Sequence, residues 1–218
     1  IIRNCQLQGG LAIACGDAGI GKTQACRQYY REHGTNCIYI TVNPCIKSSK
    51  SVLELIGSKL NVSSGSVSRL WLEISSKLSD GMVIIVDEAQ HLTRNAIDTL
   101  RSLCDCFDEK GQTLGICFVG NETTVSRLGG KQKAEFAQIR NRTKNTRFYS
   151  VKQIKKSDIE MLFPDIREDT AAVEFLLCIA QSPQAIRGAV NLYSNALDNG
   201  NVTAKGLSAI AKYMDMAV

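Results

Sequence analysis

No stretch of the 218-residue chain holds 18 consecutive apolar residues, and runs such as residues 82–86 are only strand-sized. A membrane-spanning helix is thereby excluded. Histidine is scarce, at two residues, and the nine cysteines include no CxxC pair. A zinc site of ordinary spacing and an evenly paired disulfide framework therefore both lack support. Cys15 and Cys117 fall in apolar runs that read as strands, where a reduced cysteine behaves as a small apolar residue. In Cys104-Asp105-Cys106 the two thiols point to different faces of a helix, so Cys104 is expected in the core and not in a metal pair. Such usage suits a reducing cytoplasm, where the four N-x-[ST] sequons at Asn61, Asn121, Asn141 and Asn201 carry no meaning. An initiator methionine and a charged-then-apolar leader are both missing before Ile1-Ile2-Arg3, so the chain reads as a piece of something longer. Strong charge is missing too. The net charge of +5 permits nucleic acid as a partner without demanding it. Internal repeats and low-complexity tracts do not occur.

With 44% hydrophobic and 22% charged residues, the composition is that of a globular protein with one sizeable core, or a core and a small second domain. The chain is organised around Gly16-Asp17-Ala18-Gly19-Ile20-Gly21-Lys22-Thr23, which has the GxxxxGK[ST] spacing of a P-loop. It sits where such a loop must sit, after a short apolar strand at 11–15 and before a helical pattern from Gln24. Glycines let successive backbone N–H groups turn toward phosphate oxygens, and the helix that follows adds its positive end. Lys22 would reach the β- and γ-phosphates, and Thr23 would ligate Mg²⁺.

Further strands are expected at 37–42, 82–86, 114–119 and 146–151, and helices at 51–60, 66–78, from Ala96 through Phe107, and at 134–140. Residues 1–8 read equally as a short helix or an extended lead-in. Strands alternating with helices imply a wound parallel sheet. Beyond Lys152 the strand signals stop. A capping box at Ser157-x-x-Glu160 opens a helix closed by Pro164, and three more helices follow at 170–181, 184–198 and 204–217. The expected division is an α/β core over 1–151 and a helical domain over 152–218.

Asp87 and Glu88 end the buried run at 82–86, at the carboxyl end of a strand, where open α/β sheets bind ligands. In a P-loop protein such a pair can hold the Mg²⁺ shell through Asp87, while Glu88 orients and deprotonates water. Asn121 follows the fourth strand, where a Gly-Asn pair is also a common turn. Arg140 and Arg142 precede the fifth strand, and Arg187 lies in the third helix of the second domain. Surface arginines often do no more than cover a helix end.

Taken in this order, the motifs resemble those of an AAA+ ATPase over essentially the whole chain. The wording DEAQHL, FVGNE and FAQIRNRTKNTRFYSV narrows the resemblance to the transposition ATPases, the group of phage Mu's B protein and the TnsC/TniB proteins. The resemblance implies a P-loop αβα sandwich with a five-stranded parallel sheet followed by a helical lid. It implies ATP and Mg²⁺ as cofactors, "sensor 1" at Asn121, an arginine finger at Arg140 or Arg142, with Arg142 favoured, and "sensor 2" at Arg187. It also implies self-association into a filament or ring on duplex DNA, delivery of that DNA to a transposase, and the cytoplasm of a bacterial host.

Basic residues in the segments after the second and fourth strands, Lys47 and Lys50, Lys131 and Lys133, are the candidates for DNA phosphates. Ordinary solvated loop lysines are the competing account. DEAQH is near the DEAH helicase box, but Gln90 interposes and no helicase motifs follow; the absence of NKxD favours ATP over GTP. A secretion-type ATPase and a replication initiator or loader are the alternative functions. A non-hydrolysing nucleotide switch is disfavoured by Glu88.

Overall fold

Alternation along the strands decides which helices cover which side of the sheet. The computed structural model of the chain describes residues 1–124 and 143–216. Five strands, β1 (Gly10–Gly16), β2 (Cys37–Thr41), β3 (Met82–Asp87), β4 (Leu114–Gly120) and β5 (Thr143–Tyr149), form a parallel sheet in the order β2-β3-β4-β1-β5. In register, Thr41 lies opposite Asp87, Val86 opposite Phe118, and Cys15 opposite Gly120. β3 and β4 are buried along their whole length, as strands covered on both faces must be.

Ile38, Ile40, Ile84, Val86, Ile116 and Phe118 join one core with α3 (Ser49–Lys59), α4 (Val67–Lys77) and α5 (Arg94–Asp108). The intervening Cys37, Val83, Ile85, Cys117 and Val119 face the other way and are also buried. There α1 (Ile2–Gln8) packs on β3 and β4, and α2 (Lys22–His33) packs on β2, β3 and β4. Residues 1–8, open between helix and extended chain by sequence, are thus mostly α1.

Two element boundaries differ from expectation for local reasons. α3 starts at Ser49 and not at 51, because Ser48 Oγ accepts from the Ser51 N–H while Ser51 Oγ accepts from the Ser48 N–H. β5 covers Thr143–Tyr149 instead of 146–151; its edge position tolerates the polar run TKNTRFY, which hides the strand from an apolar pattern. Val151–Gln153 is a 3₁₀ turn capped by Ser150. The helix expected at 134–140 lies outside the described residues.

The chain divides into two compact units, Ile1–Cys15 with Lys22–Phe148, and Gly16–Gly21 with Tyr149–Val218. The second unit therefore starts just before the expected boundary at 151/152 and takes in the glycine-rich loop. Its helices are α6 (Lys156–Leu162), α7 (Thr170–Gln181), α8 (Ala185–Asp198) and α9 (Ala204–Tyr213), packed through Ile159, Leu176, Ile179, Leu192 and Leu207. α6 opens two residues earlier than the Ser157–Glu160 box would place it: Lys155 is the N-cap, and Asp158 Oδ2 accepts from the Lys155 N–H at 2.8 Å. α9 ends at Tyr213, short of 217.

Candidate functional site

Asp87 ends β3 with 1% of its surface exposed, so its carboxylate must find partners inside the protein. Register supplies them. Thr41 is opposite Asp87, and Tyr39, two residues earlier on β2, shares their face of the sheet. The Tyr39 hydroxyl donates to Asp87 Oδ2 at 2.9 Å, Thr41 Oγ1 donates to the Tyr39 oxygen at 3.1 Å, and the Glu88 N–H donates to Asp87 Oδ1 at 3.0 Å. Burial above all, joined by the Asp87 charge and opposed by the Thr41 hydrogen bond, pushes the Tyr39 hydroxyl above its ordinary pKa, so it remains a donor. Lys22 and Thr23 are the first residues of α2, whose Cys26 is buried on this same face. Burial, then the Asp87 charge, raises that thiol to about 12.

Glu88 follows with φ 59° and ψ 33°, a left-handed conformation that costs a glutamate about 1–3 kcal/mol and recurs at functional sites. Half-buried, it opens the 3₁₀ turn Ala89–His91, which makes His91 a turn residue. The turn aims Gln90 in two directions: Nε2 donates to Glu88 Oε2, while Oε1 accepts from the Asn121 N–H and the Thr124 hydroxyl, each at 3.4 Å. Asn121 is exposed just past β4, and its Oδ1 accepts from the N–H of Thr123 at 3.0 Å and from the Thr123 hydroxyl. It therefore builds a turn, and its place in the sheet gives it a neighbourhood. β4 lies between β3 and β1, so the polar residues leaving it emerge between the ends of those two strands.

In the second unit, Gly19 and Gly21 adopt φ of +76° and +97°, values that let the backbone of Gly16-Asp17-Ala18-Gly19-Ile20-Gly21 curl. Asp17 ties this loop down: Oδ2 accepts from the Ser150 hydroxyl at 3.0 Å and from the Val151 N–H at 2.8 Å, and its own N–H donates to the Tyr149 carbonyl at 3.0 Å. The first turn of α8 holds the loop from another side, where the Arg187 N–H donates to the Gly19 carbonyl at 3.0 Å. Ile20 packs against the core of the helical unit. The Arg187 side chain is exposed.

Of the basic candidates, Lys47 is an exposed loop residue whose carbonyl accepts from the Thr93 N–H at 3.0 Å. Lys50 stands in the first turn of α3 and not in a loop, 3.9 Å from Glu54. Arg140, Arg142, Lys131 and Lys133 lie outside the described residues. Sequence reasoning passed over Tyr39, Thr41 and the two-way reach of Gln90. The alternation Tyr39-x-Thr41 at a strand's carboxyl end was the one available signal.

A glycine-rich sequence between the first strand and its helix, and, at the carboxyl ends of β3 and β4, a buried aspartate and a polar turn, are the features of a nucleotide-binding α/β domain. The chain matches the AAA domain family over residues 6–128 and belongs to it. It is 30% identical over 213 residues to the ATP-dependent target DNA activator B of Escherichia phage Mu, covering 94% of this chain and 64% of that protein. It is 29% identical over 203 residues to the Mu-like prophage FluMu DNA transposition protein B of Haemophilus influenzae, covering 88% of this chain and 65% of that protein. The chain thus spans 64–65% of the length of these relatives.

Among solved structures, the Thermotoga maritima RuvB Holliday junction branch migration motor superimposes with a TM-score of 0.58 at 17% identity, over 97% of this chain and 65% of that one. The Aeropyrum pernix ORC1 protein in complex with DNA does so with a TM-score of 0.61 at 15% identity, over 98% and 62%. At these identities the likeness is one of fold.

Proposed function

We propose that the chain is the ATPase portion of a protein that binds duplex DNA and acts in DNA transposition, selecting target DNA and activating a transposase. One observation carries this reading: the buried Asp87 and the strained Glu88 at the end of β3, in a chain that also has the P-loop sequence and is similar over 94% of its length to a target DNA activator. Residues 1–151 form the ATPase core in this reading, and 152–218 form its lid.

ATP phosphates would lie against the N–H groups of the loop 16–21 and the Lys22 ammonium. Mg²⁺ fits the donors present, a hydroxyl at Thr23 and a buried carboxylate at Asp87, both hard oxygen ligands; when bound it neutralises charge on the phosphates. Tyr39 keeps the Asp87 carboxylate aimed. Glu88 orients the attacking water and takes its proton. Asn121 borders that water from β4. Arg187 comes from the lid, and Arg142 or Arg140 from a neighbouring copy would stabilise charge as hydrolysis proceeds. Self-association on DNA into a filament or ring is what would bring that arginine in.

The test uses the full-length protein with ATP, Mg²⁺ and duplex DNA. Parent protein should cleave ATP and form DNA-dependent assemblies visible by electron microscopy. Lys22→Ala should lose nucleotide binding, and Glu88→Gln should bind ATP without cleaving it. Hydrolysis by Glu88→Gln at the parent rate overturns the assignment of the base, and a protein that never binds duplex DNA overturns the role in transposition.

A further inference from the structure

The Gln90 side-chain amide donates to the Glu88 carboxylate, and the same amide reaches the turn after β4. Its two ends are of opposite character. The Nε2 end can only donate, which suits a carboxylate, and the Oε1 end can only accept, which suits an N–H and a hydroxyl. Inverting the amide would set an oxygen against the carboxylate and N–H groups against the Asn121 N–H, so these partners hold one orientation. Thr124 is fully buried, with 0% exposure, and that leaves its hydroxyl dependent on partners inside the protein.

The strand end is shaped around this amide. A Cβ on Gly120 would lie 2.4 Å from Gln90 Oε1 and 2.2 Å from Thr124 Oγ1, so any side chain there displaces both. Glu88 itself has no neighbouring turn of helix to lean on, because its backbone is left-handed and the chain leaves it in a single 3₁₀ turn. The hydrogen bond from Gln90 therefore bears directly on where its carboxylate sits.

We propose that Gln90 is a positioning residue for hydrolysis, which fixes Glu88 for water activation and links it rigidly to the turn Asn121-Glu122-Thr123-Thr124. This rests on the ATPase reading above. The consequence is that the turn at residues 121–124 and the catalytic glutamate move together, so a change in one is felt at the other. Gln90 itself touches no phosphate and takes no proton.

Two variants of the full-length protein test it by different routes. Gln90→Met keeps the length of the side chain and removes both hydrogen-bonding ends. Gly120→Ala leaves Gln90 chemically intact and pushes aside both its amide, the far end of a flexible side chain, and the nearer hydroxyl of the buried Thr124. Both should lower kcat by roughly tenfold to 10²-fold, the cost of displacing a reacting group by about an ångström, with KM for ATP and nucleotide affinity within about twofold of parent. Thermal melting of each variant, with and without ATP, reports folding alongside.

Parent-like kcat in Gln90→Met, a faster kcat in either variant, or a loss of kcat matched by a loss of ATP affinity would each overturn the positioning role. Parent protein and Glu88→Gln run in the same assay keep the two readings apart. If parent cleaves ATP and Glu88→Gln does not, the ATPase reading stands and Gln90→Met and Gly120→Ala decide the inference. A parent protein that binds ATP and never cleaves it overturns both.

Discussion

Tyr39 and Asp87, 48 residues apart in sequence, meet through a 2.9 Å hydrogen bond in which the phenol donates to the buried carboxylate. The parallel pairing of β2 with β3 puts them on one face, and Thr41 completes the chain of donors by bonding the phenol oxygen at 3.1 Å. If Asp87 holds the Mg²⁺ shell, Tyr39 sets the angle at which it does so. Tyr39→Phe removes only the hydroxyl. The Mg²⁺ concentration for half-maximal ATP hydrolysis should rise by about tenfold, as for other residues that orient a ligand from behind, while the melting free energy falls by only about 1 kcal/mol. A Mg²⁺ titration at saturating ATP checks it, and an unchanged midpoint would make Tyr39 a packing residue.

Asp17 is a loop residue with a structural task in the helical unit, accepting from the Ser150 hydroxyl and the Val151 N–H. Asp17→Ala leaves that N–H without its acceptor, an expected loss of about 1–3 kcal/mol. The loop also loses an anchor, so ATP affinity should fall with stability. Asp17→Asn keeps one carbonyl oxygen and should sit between the two. Melting curves and a titration with a fluorescent ATP analogue give both quantities.

Lys47 and Lys50 are exposed on the segment after β2, and the 3.9 Å pairing of Lys50 with Glu54 is too solvated to bind it firmly. If both contact DNA phosphates, Lys47→Ala/Lys50→Ala should weaken binding to all duplex sequences alike and lower the salt slope by about one unit per lysine. Binding isotherms of ATP-loaded full-length protein at several salt concentrations measure the slope. A slope equal to the parent's moves the DNA contact off this segment.

Asp80 Oδ1 accepts from the Thr113 N–H at 2.6 Å and from the Thr113 hydroxyl at 2.9 Å, and these bonds lower its pKa below the usual 3.8. A carboxyl with a depressed folded pKa contributes its full stability above the unfolded value and loses it as pH falls through the folded one. Asp80→Ala should therefore melt below parent at neutral pH, and the gap should close only under acid conditions below about pH 4. Melting temperatures of the two proteins from pH 7 down to pH 3 test the sign. A gap that widens toward acid would contradict it.

Much of the fold was legible because its signals are local. The apolar runs at β3 and β4 are continuous since both faces of those strands are covered, and the 3.6-residue spacing of Ile97, Leu100, Leu103, Cys104 and Phe107 announces the buried stripe of α5. β5 was misplaced because an edge strand can be polar, and α3 began early because two serines cap each other. Tyr39 and Gln90 escaped notice because nothing in their own neighbourhoods marks them as more than a strand tyrosine and a turn glutamine.

The sequence by itself determined the phosphate loop, since the spacing from Gly16 to Thr23 is a property of eight consecutive residues and needs no distant partner. It likewise determined that Asp87 and Glu88 stand at a strand's end. Tertiary structure alone decided that Asp87 bonds Tyr39 from β2, that Gln90 joins Glu88 to the turn after β4, and that Asp17 clips to Ser150 and Val151. Strand order and register bring those partners together across 31 to 134 residues of chain, and a hydrogen bond depends on separations of about 3 Å that no sequence spacing encodes.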